Sequence, residues 1–65
     1  MKRVWARVVV KDGVVRYTKE DSMHVRPEAT GSGREEVADT ERLVAYVLPF
    51  GTLIIYVRED LLEGK

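Results

Sequence analysis

Leu43-Val44-Ala45-Tyr46-Val47-Leu48-Pro49-Phe50-Gly51-Thr52-Leu53-Ile54-Ile55-Tyr56-Val57 is the stretch that decides the fold. Proline suits the first central position of a type I turn and glycine the left-handed position after it, so Pro49-Phe50-Gly51 reads as a three-residue hairpin loop with a G1 bulge. That loop sets Leu48 opposite Thr52, Val47 opposite Leu53, Ala45 opposite Ile55 and Leu43 opposite Val57. Side chains alternate along a strand. One face then carries Leu43, Ala45, Val47, Leu53, Ile55 and Val57, and the other Val44, Tyr46, Ile54 and Tyr56. Both are apolar until Arg42 and Arg58, the pattern of a hairpin buried on both sides.

A second hairpin precedes it. Lys11-Asp12-Gly13-Val14 lies between two valine-rich runs, and an Asp-Gly pair takes the positive φ angles of a type I′ turn. The two-residue loop pairs Lys11 with Val14, Val10 with Val15, Val8 with Tyr17 and Ala6 with Lys19. Val4, Ala6, Val8, Val10, Val15 and Tyr17 share one face. The reverse face mixes apolar with basic groups: Trp5, Arg7, Val9, Lys11, Val14, Arg16 and Thr18.

The fold class that follows is all-β, two hairpins forming a small four- to five-stranded sheet, barrel-like or open, within one domain spanning 1–65. A short helical turn is expected over Glu59–Gly64, with Leu61 and Leu62 plugging an open end of the sheet. The competing reading is ββαβ, an α+β fold, because Ser32 followed by Glu35 makes a capping box for a helix running to Leu48. Such a helix strands Leu43, Tyr46 and Val47 on its polar side, and the valine- and tyrosine-rich run fits a strand better. Residues 20–36 read as a flexible loop around Gly31-Ser32-Gly33, within which Met23–Arg26 has the makings of an extra strand.

With 65 residues, a chain buries only about 60% of its unfolded surface and needs a supplement to its core. It has no cysteine, which removes disulfides, thiolate nucleophiles and cysteine-based metal sites. His24 is the lone histidine. With Glu20, Asp21 or Glu28 it lacks any metal-ligand spacing, so neither a metal nor a cofactor is expected. Association remains. A face of Val44, Tyr46, Ile54 and Tyr56 left in water is a patch of the kind that marks a contact site, and a two-fold homodimer covers it twice with one gene product. The interface expected is Trp5, Val44, Tyr46, Ile54 and Tyr56, in a non-catalytic homo-oligomeric interaction or regulatory module.

Two other functions are weighed against that one. Lysine plus arginine balances aspartate plus glutamate at 11 each, yet residues 1–19 are basic and residues 20–41 acidic, so the acidic segment is expected over or near the basic hairpin. Arg3, Arg7, Lys11 and Arg16 around Trp5 nevertheless make a nucleic-acid-binding face, with phosphates on the cations and a base stacked on the indole. A pI near 6.6 weighs against it. The last alternative is a small enzyme or anion-binding subunit centred on residues 22–34, using Ser22, His24 and the glycine pair. The segment Gly31-Ser32-Gly33-Arg34 is weighed for anion binding but lacks the Gly-Lys-Ser/Thr ending of a phosphate-cradling loop, and no catalytic residue is assigned. No apolar run reaches the roughly 18 residues of a membrane span and the N-terminus does not resemble a secretion signal, so a cytoplasmic protein is expected. The chain also has no asparagine or glutamine, the omission seen where thermolabile side chains are selected against.

Overall fold

The computed structural model describes residues 4–59, the side chains of 18–21 excepted. It is all-β: β1 (Trp5–Lys11), β2 (Val14–Met23), β3 (Glu35–Asp39), β4 (Leu43–Val47) and β5 (Leu53–Arg58). They form one open antiparallel sheet in the order β2-β1-β5-β4-β3. The turn chemistry acts where the sequence places it. Asp12 and Gly13 take φ of 54° and 78°, and β1 pairs with β2 in the expected register from Lys11↔Val14 to Val8↔Tyr17. At the other loop Gly51 takes φ 86° and donates its N–H to Leu48 O at 2.9 Å, and β4 and β5 pair as Val47↔Leu53, Ala45↔Ile55 and Leu43↔Val57.

The two hairpins meet along β1 and β5, where Val9 lies opposite Ile54 and Arg7 opposite Tyr56. This seam keeps the faces in phase. Trp5, Arg7 and Val9 share a face with Ile54, Tyr56, Val44 and Tyr46, while Ala6, Val8 and Val10 join Leu53, Ile55 and Val57 on the other.

One alternative and three expectations are corrected. No helix occupies 34–48: β3 and β4 do, and the capping-box Glu35 opens a strand. β3 is acidic and five residues long, a composition tolerated at an edge, where charged side chains stay hydrated and block further pairing. A bulge between Glu36 and Ala38 interrupts its register. Second, the acidic segment 20–41 is near the basic hairpin only in part: Glu20 and Asp21 belong to β2 and residues 24–34 cross Trp5, whereas β3 lies at the opposite edge of the sheet from β2. Third, the first hairpin loses register beyond Arg7↔Thr18 and resumes at Trp5↔Met23, so the pairing of Ala6 with Lys19 gives way to an irregularity. Fourth, Met23 ends β2 and residues 24–26 add no strand, and the loop expected over 20–36 shrinks to 24–34. The C-terminal turn, apart from Glu59, lies outside the described residues.

Segment 24–34 has to travel from one edge of the sheet to the other. Four inter-strand gaps of about 4.8 Å make a crossing of about 19 Å, and eleven residues reach at most about 36 Å. The spare length is taken up by a turn, in which Arg34 N–H bonds Gly31 O at 3.1 Å and Gly33 sits at φ 74°. Gly-Ser-Gly is therefore the corner that delivers the chain into β3, a position that favours a residue without Cβ. Along the crossing, Pro27 is buried and Ala29 is 2% exposed, packed with Trp5 and Val44 and flanked by Met23 and Tyr56. The segment is a strap laid over one sheet face.

Thr40 closes the turn between β3 and β4, and its carbonyl takes the bond from Arg26 of the strap. Its Oγ1 accepts N–H bonds from Arg42 at 3.2 Å and Leu43 at 3.0 Å, and it donates to Leu43 O at 3.2 Å. A hydroxyl that closes the β3–β4 turn through three bonds is hard to replace. Thr40→Ala is expected to cost about 1–2 kcal/mol, read as a lowered urea midpoint with an unchanged slope.

Candidate functional site

The side chains that fasten the strap also shape a cleft beneath it. Arg26 lies over the Trp5 ring at 5.8 Å, bonds Asp39 through Nη2, and donates from the same nitrogen to Thr40 O at 2.7 Å. Arg34 lies over the Tyr46 ring at 4.4 Å and donates from Nη1 to Glu28 O at 2.8 Å. Each guanidinium thus ties the strap to an aromatic ring of the sheet, an attraction worth about 0.5–2 kcal/mol. Tyr46 and Tyr56 face one another with centroids 6.5 Å apart and planes inclined by 34°. Between these groups lies a cavity of about 240 Å³ lined by Met23, Arg26, Pro27, Glu28, Arg34, Tyr46 and Tyr56.

Burial raises the pKa of the Tyr56 phenol above the ordinary 10.0, and the neighbouring Tyr46 adds to the rise while Arg7 and Arg34 oppose it. The phenol therefore stays protonated, its hydroxyl hydrogen-bonded to that of Tyr46.

The expected interface residues are inside the protomer. Trp5, Val44, Tyr46 and Ile54 are 3%, 0%, 6% and 2% exposed, and Tyr56 packs against the same cluster. The strap covers this face, and the face that no other described segment crosses is the opposite one, where Ala6 and Ala45 are buried between half-buried aliphatic neighbours. Of the expected nucleic-acid residues, Arg3 lies outside the described residues and Trp5 is buried, which removes the stacking platform. Lys11 and Arg16 remain open, flanking a concavity of about 440 Å³ with Val9, Asp12 and Val14, and Arg7 lies opposite Tyr56.

Ser22 and His24 are not brought together. His24 is exposed, whereas Ser22 Oγ is buried without a hydrogen-bond partner. Among the described residues no three His, Asp or Glu side chains converge as metal ligands, and no helix is long and apolar enough to cross a membrane. Arg26 was absent from the residues singled out by sequence, and Arg34 entered only as the end of the Gly31-Ser32-Gly33-Arg34 segment weighed for anion binding. Their signal was positional: each adjoins a residue of special backbone preference, Pro27 and Gly33, near the ends of the strap.

The class defined by this geometry is a single open β-sheet with one strapped and one open face. Comparison with protein-family models, curated proteins and solved structures finds no match for this chain.

Two measurements check the strapped face. Ala29→Leu overfills a site with no spare room and is expected to cost about 1–3 kcal/mol, read by chemical denaturation. For Tyr56, the folded state holds the phenolic proton more tightly than the unfolded chain does. Its contribution is complete below pH 10.0 and is lost as pH rises through the folded pKa. Stability should therefore fall more steeply above pH 10 in the wild type than in Tyr56→Phe.

Proposed function

We propose that this chain is a non-catalytic interaction module that works as a homodimer in the cytoplasm, two copies packing sheet on sheet through the face opposite the strap. The observation that carries this reading is the composition of that face. It presents Val8 and Val10 from β1, Leu53, Ile55 and Val57 from β5, and Leu43 and Val47 from β4, and none of the residues that these three central strands turn to this face is charged. At its β2 margin Val15 and Tyr17 are 65% and 47% exposed. No described segment crosses it, in contrast to the strapped side.

A second copy is the occupant that the chemistry favours. Its three central strands offer no charge to set a partner of opposite sign, with Glu35 at the β3 margin, and a two-fold axis brings the same apolar patch against itself. Five strands by about five residues span a plane of about 19 by 17 Å, or about 320 Å². At about 25 cal/mol per Å², two such faces gain at most about 16 kcal/mol, against an association cost of about 4–15 kcal/mol. The balance favours a dimer of modest affinity.

Light scattering on the purified chain tests this. The expected mass is twice that of the chain, falling to the monomer in Val15→Glu/Tyr17→Lys, whose exposed positions tolerate charge in the folded protomer. A monomer at high concentration that unfolds on Leu61→Ser/Leu62→Ser would mean that the chain closes this face from within, and would end the proposal.

Nucleic-acid binding is the second reading, favoured by the concavity between Lys11 and Arg16. With Trp5 buried it rests on phosphate contacts, so any retardation of DNA or RNA should weaken steeply with salt. The dimer reading expects no retardation at physiological salt.

A further inference from the structure

We infer that the cleft beneath the strap is a binding site for a small organic carboxylate, held by the Arg34 guanidinium and the Tyr56 hydroxyl with its apolar body against Met23 and Pro27. Arg34 is the starting point. Among the described residues it forms no ion pair, and its bond to Glu28 goes to the backbone carbonyl through Nη1, leaving the rest of the guanidinium fork uncommitted. Contact with the Tyr46 ring fixes the plane of that fork at the cavity wall. A planar guanidinium held in this way matches a planar carboxylate through two parallel hydrogen bonds, which a point charge does not.

The surrounding groups fit the same ligand. Arg26 is the second cation on the cavity wall, and Asp39, the carboxylate that it bonds, is absent from the lining. Glu28 also lines the cavity, and its backbone carbonyl accepts the bond from Arg34 Nη1. The hydroxyls of Tyr56 and Tyr46 share a hydrogen bond, so the pair keeps one neutral O–H donor for the ligand, and Met23, Pro27 and the two tyrosine rings supply an apolar wall. A volume of about 240 Å³ equals that of about eight waters, enough for one six-membered ring with its carboxylate and too little for a nucleotide. Apolar walls with a few convergent polar groups are what small-molecule sites share.

Benzoate is the probe, titrated into the full-length chain at constant ionic strength with chloride as the replaced anion. The expected result is a saturable rise in melting temperature with a parallel change in tyrosine fluorescence. Arg34→Gln should weaken binding at least about 10-fold, the loss of one charge-assisted hydrogen bond. Tyr56→Phe should weaken it several-fold, and Arg16→Gln, in the other concavity, should leave it unchanged. Absence of saturation, an equal effect of benzyl alcohol, or undiminished binding by Arg34→Gln would each overturn the site. If Arg34→Gln does not fold, Tyr56→Phe decides alone, and undiminished binding there is equally fatal. The site does not depend on dimerisation: Val15→Glu/Tyr17→Lys should bind benzoate as the wild type does, so the two proposals fail separately.

Discussion

A single sheet has two faces, and one strap can lie on only one of them. Everything else in this small protein follows from where residues 24–34 run. Because β2 and β3 are opposite edges of the sheet, their connection must pass over the intervening strands, and it takes the face that offers it aromatic rings. Backbone pairing is not what holds the strap down. Two guanidiniums on two rings and two small buried residues, Pro27 and Ala29, do that work, at a few kcal/mol in total.

The edges of the sheet are treated as differently as its faces. β3 is short, acidic and bulged, three features that discourage another strand from joining it. β2 has ten residues and exposes Val14, Val15 and Tyr17 at its turn-proximal end. Separation of the basic and acidic halves of the sequence thus becomes a polarity across the sheet, from Lys11 and Arg16 at one margin to Glu35, Glu36 and Asp39 at the other. Arg26 bridges the two, carried by the strap to Asp39.

Much of the fold was legible because turn chemistry is local. Asp12-Gly13 and Pro49-Phe50-Gly51 each impose one register, and alternation then sorts every side chain in β1, β4 and β5 to its face. What escaped was whatever depends on position in the sheet. Glu35-Glu36-Val37-Ala38-Asp39 has poor strand propensity, and only a place at the margin lets it pair. The strap was illegible as a covering layer because its buried residues, Pro27 and Ala29, are small and isolated, with no periodicity to mark them. The site suffered most from this. Trp5, Val44, Tyr46, Ile54 and Tyr56 were rightly grouped on one face, but grouping alone does not say whether the same chain or another lies over them.

One consequence of the β1–β5 seam concerns how such a unit fits into larger architectures. Glu59 N–H donates to Val4 O at 2.6 Å, so the backbone enters and leaves the sheet at neighbouring points. A unit with adjacent entry and exit can be spliced into a surface loop of a host protein without stretching either. For the same reason, joining those two points and opening the chain at Asp12-Gly13 gives a rearranged order of strands with every pairing intact.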